Sequence, residues 1–195
     1  MKKIPTLFER RFENHKVVEV LPVVTPGFEW VLEGEGDATI KIDGACCAYF
    51  DGVFYKRYDA KKGKKPPEGA IPCCDPDPVT GHWPHWIKVT EKPEDRWFKT
   101  AFENTIVLQD GTYEAVGPHF QGNPYHINKD YLVKHGITKI DVERTFEGIR
   151  EWLRTHAEEG IVFWKDGEPQ CKIKRKDFGY KWPLTQEEQE EHESL

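Results

Sequence analysis

Glu159 to Lys174 reads EGIVFWKDGEPQCKIK. Ile161 to Trp164 is a β-branched and aromatic run, 165–169 (KDGEP) is rich in turn formers, and Gln170 to Lys174 alternates. The pattern predicts a β-hairpin over 161–174 with a longer turn. In its second arm Cys171 and Ile173 face one way and Lys172 and Lys174 the other, because successive strand side chains point to opposite faces. Two lysines backed by a buried apolar face form a cationic pair aimed at one spot. Glu159 adds a carboxylate where a helix is to end and a strand to begin.

Outward from this hairpin the same logic divides the chain. Upstream, Val142, Phe146, Ile149, Leu153 and Ala157 recur at helical spacing, with Asp141 as the expected N-cap and Gly160 just past the end. Residues 45–58 (ACCAYF-DG-VFYKRY) and 105–116 (TIVLQ-DG-TYEAV) each place β-rich runs around Asp-Gly, a strong hairpin signal. Residues 59–100, rich in Pro, Lys and Trp, are expected to be irregular, and the tail from Leu184 to be helical or disordered. No internal repeat is visible. The fold class is α+β, dominated by antiparallel sheet.

With 195 residues, 37% hydrophobic and 32% charged, and 25 aromatic residues, the chain has the means for a packed core and is no disordered polymer. There is no apolar run of membrane-spanning length, and Glu9, Arg10 and Arg11 break the pattern of a signal peptide. An intracellular protein without a membrane partner is expected. Five of the 34 acidic residues crowd into 187–195; subtracting them from the net charge of −6 leaves the rest at −1. Positive charge gathers in two stretches. Lys56, Arg57, Lys61, Lys62, Lys64 and Lys65 stand against Asp59, and Lys172, Lys174, Arg175, Lys176 and Lys181 against Asp177. Such patches attract polyanions even on a near-neutral body. The cysteines Cys46, Cys47, Cys73, Cys74 and Cys171 are odd in number and include two vicinal pairs, which does not suit a disulfide framework. Reduced thiols are expected, and the spacing of Cys73, Cys74, His82 and His85 does not suit zinc.

Lys41-Ile42-Asp43-Gly44 opens the first hairpin. K-x-D-G alone is a weak pattern. Together with Arg57, Glu114, Glu159, Lys172 and Lys174 it supplies a lysine nucleophile, two carboxylates and cations for phosphate oxygens. That is the equipment of nucleotidyl transfer.

On these residues the chain resembles the covalent nucleotidyltransferase superfamily of ATP-dependent DNA ligases, RNA ligases and mRNA capping enzymes. Lys41–Gly44 resembles motif I, Tyr113–Gly117 motif III, Glu159–Phe163 motif IV and Lys172-Ile173-Lys174 motif V, in the family's order. The match is closer to the vertebrate-type 5′–3′ RNA ligases, through KIDGACC, the Gly81–Trp86 segment GHWPHW, Gly122–Tyr125 (GNPY), Leu132–Gly136 (LVKHG) and EGIVFW through KIKRKDFGYKWP. The resemblance spans Lys41 to Pro183.

It implies an ATP-grasp-like ligase nucleotidyltransferase domain over residues 1–183, followed by an acidic tail over 184–195. Lys41 would take AMP from ATP as a lysyl phosphoramidate. Asp43 and Arg57 would contact the ribose or the substrate's 5′-phosphate end, with Gly44 in the same nucleotide-binding motif. Glu114 would hold the ribose hydroxyls, and Glu159 would place magnesium or manganese. Lys172 and Lys174 would hold the α-phosphate as the leaving group departs. The adenine-stacking residue would lie within 131–135. Ile40 stands where many RNA ligases have Glu. The 13 residues after Trp182 lead us to expect no OB-fold, and the 40 before Lys41 favour ATP over NAD. The implied activity is joining of RNA 5′-phosphate and 3′-hydroxyl ends, by a monomer. The alternatives are a GTP-dependent capping-type guanylyltransferase and a non-catalytic RNA-binding module with a relic site.

Overall fold

The computed structural model describes residues 1–106 and 109–192. The strands are β1 (Phe8–Glu13), β2 (Lys16–Val24), β3 (Asp37–Lys41), β4 (Ala45–Phe50), β5 (Val53–Ala60), β6 (Ile71–Pro72), β7 (Trp83–Lys88), β8 (Gly111–Val116), β9 (Tyr131–Lys134), β10 (Lys139–Ile140), β11 (Gly160–Lys165) and β12 (Glu168–Lys174). The helices are α1 (Glu29–Leu32), α2 (Arg96–Glu103), α3 (Phe146–Thr155) and α4 (Gln186–Glu190). The architecture is mixed α+β, and the strand pairings within its sheets are antiparallel. Among the described residues no helix is long and apolar enough to cross a membrane. The chain divides into two compact units, one of residues 1–3 and 43–135, the other of 4–42 and 136–195.

In the second unit a four-stranded sheet runs in the order β10-β3-β11-β12. Its register sorts side chains by face. Ile40, Ile161 and Ile173 stand abreast, as do Ala38, Phe163 and Cys171. All six are buried, and Ala38, Ile161, Phe163, Cys171 and Ile173 pack with Ile149, Trp152 and Leu153 of α3. Burial of this apolar face stabilises the unit by removing it from water. The opposite face carries the rows Lys41–Gly160–Lys174 and Thr39–Val162–Lys172. The β11–β12 turn is two residues, Asp166 (φ 55°) and Gly167 (φ 76°), tighter than KDGEP suggested. Positive φ at both positions is the geometry that matches the twist of paired strands. β1 and β2 form a separate ribbon.

Helix α3 starts four residues later than expected. Thr145, in place of Asp141, is the cap, and its side chain accepts a hydrogen bond from the Gly148 N–H. Val142 is buried in the core ahead of the helix. The buried Arg175 closes the far end of α3. Its guanidinium donates to the carbonyls of Leu153, His156 (2.8 Å) and Lys181 (3.0 Å). Arg144 ties the turn after α1 in the same way, donating to the carbonyls of Val31, Glu35 and Gly36.

In the first unit the sheet order is β6-β7-β5-β4-β8-β9. Cys47, Tyr113, Ala115 and Leu132 pack with α2 through Phe98, Ala101 and Phe102. The β4–β5 hairpin forms as expected, turning on Asp51 and Gly52 at positive φ. The hairpin expected around Asp110-Gly111 does not form: β8 pairs with β4 on one edge and β9 on the other. Its expected first arm includes 107–108, which lie outside the described residues, and the rest of that arm is not strand. The stretch 59–100 is more ordered than its Pro and Lys content suggested. β7 pairs along most of β5, and α2 begins at Arg96. Tertiary burial of Trp86, Pro84 and His85 decides this, against local propensity.

The tail is anchored at its start. Leu184 is buried, and Thr185 and Glu188 form a capping box on α4. Hydrogen bonds from Lys181 and the Thr185 N–H hold the Glu188 carboxyl down at about 2.

Candidate functional sites in the two units

The expected nucleophile, Lys41, ends β3 on the open face of the 4–42/136–195 unit. Its Nζ donates to Glu159 Oε2 at 2.7 Å, and the pair is only partly exposed, 24% and 15% by side chain. Gly160 lies directly between Lys41 and Lys174 in the register. A Cβ there would meet the Ile173 carbonyl at 2.3 Å, so the close approach of β12 leaves no room for a side chain and the position is glycine. Lys172 stands one row along on the same face. The structure therefore brings together four of the expected residues, Lys41, Glu159, Lys172 and Lys174. The alternation read from the sequence is observed: Cys171 and Ile173 are fully buried, and Lys172 and Lys174 are partly exposed.

Glu159 is held by its backbone as well. The Arg175 N–H donates to the Glu159 carbonyl at 2.9 Å, while the Arg175 side chain pins the end of α3. The adjacent Glu158 is partly buried, and desolvation pushes its carboxyl up to about 7. Arg175 is thus structural, a departure from its expected place in a phosphate-binding stretch. Lys181 is also engaged, with Glu188 at 2.7 Å. Lys176 remains exposed.

Asp43, Gly44, Arg57 and Glu114 belong to the 1–3/43–135 unit. Gly44 lies tight against β8: a Cβ there would meet the Ala115 carbonyl at 2.2 Å and Glu114 Cγ at 3.0 Å. The Asp43 N–H donates to the Tyr125 hydroxyl at 2.7 Å. Nothing local in the sequence marks Tyr125 for this role, since its partner lies 82 residues away.

Glu114 stands opposite Cys46 on β4 and Val133 on β9. His135, just past β9, places Nε2 2.6 Å from Glu114 Oε2 and Nδ1 2.8 Å from Thr112 Oγ1. The segment expected to hold an adenine-stacking ring thus supplies a partner for Glu114, while Tyr131 is exposed. Burial, reinforced by Glu114, pushes the Cys46 thiol up to about 12.

Strand alternation splits the first basic stretch. Arg57 shares the face of Cys46 and Glu114, and pairs with Asp59 at 3.2 Å. Lys56 points to the other face and pairs with the buried Asp95. Burial pushes the Asp95 carboxyl up, but hydrogen bonds from Lys56 and Thr90 outweigh this and hold it below its ordinary value. Lys61, Lys62, Lys64 and Lys65 are exposed. A polyanion would therefore meet these four lysines and not Lys56.

No known protein-family model matches the chain, and no curated protein sequence matches it.

Proposed function

We propose that the chain is an ATP-dependent RNA ligase, acting as an intracellular monomer. It would join RNA 5′-phosphate and 3′-hydroxyl ends through a covalent lysyl-AMP. One observation carries the reading: Lys41, hydrogen-bonded to Glu159, shares a sheet face and a strand row with Lys174, with Gly160 between them and Lys172 alongside. A nucleophilic amine, a carboxylate and two further cations are what phosphoryl transfer from a nucleotide requires.

In the first step the neutral Lys41 amine attacks the α-phosphorus of ATP. An N–P bond forms, the P–O bond to pyrophosphate breaks with its electron pair leaving on pyrophosphate, and the amine's proton passes to solvent. Glu159, at 2.7 Å, holds the Lys41 amine in place until it reacts. Lys172 and Lys174 offset the negative charge on the phosphate oxygens as pyrophosphate leaves. AMP then passes to the RNA 5′-phosphate, and the 3′-hydroxyl displaces it to form the phosphodiester. Glu159 is an oxygen donor of the kind magnesium and manganese take, and such an ion, when bound, neutralises charge on the phosphate oxygens. The roles of Asp43, Gly44, Arg57 and Glu114 toward the nucleotide rest on the resemblance. The exposed lysines of 61–65 would hold RNA through its backbone, with affinity that falls as salt rises.

The test is covalent labelling with α-phosphate-labelled ATP or, separately, GTP, with magnesium, followed by denaturation. ATP is expected to label the wild type and not Lys41→Ala. Glu159→Gln, which keeps shape and loses charge, should slow labelling by about 10²–10³-fold. Sealing of 5′-phosphorylated RNA should follow the same order. Label from GTP alone would replace this reading with a capping-type one. Absence of label from either nucleotide, with RNA still bound, would replace it with a binding module.

A further inference from the structure

A second constellation, on the 1–3/43–135 unit, has a different chemistry. The Cys46 sulfur, a Glu114 carboxylate oxygen and a His135 ring nitrogen lie within 4.8 Å of one another. They come from three neighbouring strands or strand ends. Cys46 and Glu114 are directly opposed between β4 and β8. His135 continues the β9 edge, its N–H donating to the Thr112 carbonyl at 3.1 Å. All three therefore share one face, opposite the one that Cys47, Tyr113 and Ala115 bury beneath α2. Strand-borne side chains with half-buried surroundings are rigidly placed, as a preformed ligand set must be.

From this geometry we infer that Cys46, Glu114 and His135 form a binding site for a thiophilic divalent cation of the zinc class. Three points carry it. One thiolate, one imidazole and one carboxylate are the mixed donors zinc accepts, with a fourth position left for water or another ligand. A sulfur donor selects against magnesium and calcium, which take oxygen. The imidazole is also oriented from behind: with Thr112 Oγ1 at 2.8 Å from Nδ1, Nε2 is aimed at Glu114 and is the nitrogen available to a metal. Ligand atoms around a tetrahedral zinc stand about 3.3–3.8 Å apart. The His135–Glu114 contact of 2.6 Å thus opens by less than about 1 Å as the ion enters. Binding forms S–Zn, N–Zn and O–Zn bonds; the Cys46 thiol proton, and any proton shared between His135 and Glu114, leave to solvent.

The ion takes the Glu114 carboxylate, so zinc and a nucleotide that uses Glu114 exclude each other. That consequence rests on the ligase reading; the metal site does not.

Cobalt titration of the reduced, chelator-treated full chain tests the site without any activity assay. One equivalent of Co2+ should give a thiolate-to-cobalt charge-transfer band in the near ultraviolet and intense four-coordinate visible bands, both removed by one equivalent of Zn2+. Cys46→Ser should abolish the charge-transfer band, with folding checked by circular dichroism. The Cys73→Ser/Cys74→Ser double variant should retain it. His135→Gln, a second variant that leaves the sulfur in place, should weaken cobalt binding at least tenfold. No band at one equivalent, or a band that survives Cys46→Ser or disappears in the Cys73/Cys74 variant, overturns the inference. Loss of nucleotide labelling with the cobalt bands intact would count against the ligase reading alone.

Discussion

Replacement of Arg175 by methionine probes how the end of α3 is held. Arg175 is 4% exposed and its guanidinium serves three carbonyls, those of Leu153, His156 and Lys181. Two of them belong to the last turn and C-cap of α3, where carbonyls have no partner within the helix. Methionine fills much of the same volume but donates nothing. Each buried acceptor left unmatched costs about 1–3 kcal/mol. Removing a desolvated guanidinium, whose burial lowers its pKa, returns part of this. The net loss should be about 2–4 kcal/mol, or on the order of 10 °C in Tm for a chain of this size. Urea denaturation followed by circular dichroism measures it. Arg175→Lys keeps the charge but not the planar fork, and should recover less than half of the loss. A methionine variant within about 1 kcal/mol of wild type, or a lysine variant equal to it, would refute the reasoning.

Lys56→Met should destabilise the protein by about 3–5 kcal/mol, because it leaves the buried Asp95 charge without its cation; the same change should barely alter RNA affinity. Thermal melts and a filter-binding assay separate the two effects. Gly44→Ala drives a methyl into the Ala115 carbonyl and should cost about 1–3 kcal/mol, read as a lower urea midpoint. Glu158 carries a carboxyl raised by burial from 4.5 to about 7. The folded state therefore holds this proton more tightly than the unfolded chain, so its stabilising contribution is full below about 4.5 and is lost as pH rises to about 7. Relative to Glu158→Gln, wild-type stability should fall by about 2–3 kcal/mol across that window, and parallel pH–stability curves for the two proteins would exclude the effect.

The second hairpin arm shows how much sequence alone can decide. Period-two alternation fixed which residues of 170–174 are core and which are open, since a strand has only two faces. Asp51-Gly52 likewise announced its turn, because few residue pairs accept positive φ at both positions, whereas the expected longer KDGEP turn tightened to Asp166-Gly167. Asp110-Gly111 looked the same and does not join a hairpin. Both edges of β8 are taken by strands distant in sequence, and pairing energy there comes from neighbours no local window contains. The α3 start failed for a related reason: Val142 fits the helical period but is buried ahead of the helix, and Thr145 provides the cap.

The candidate sites divide in the same way. Sequence by itself named Lys41, Glu159, Lys172 and Lys174 and the facing of the two strand lysines, through residue type and local period. Tertiary structure alone decided that Lys41 meets Glu159, 118 residues away, through the pairing of β3 with β11. It alone paired Lys56 with the buried Asp95 and buried Arg175 at the end of α3, and it brought Cys46, Glu114 and His135 onto one face. Strand register and burial are set by long-range packing, and no stretch of sequence carries them on its own.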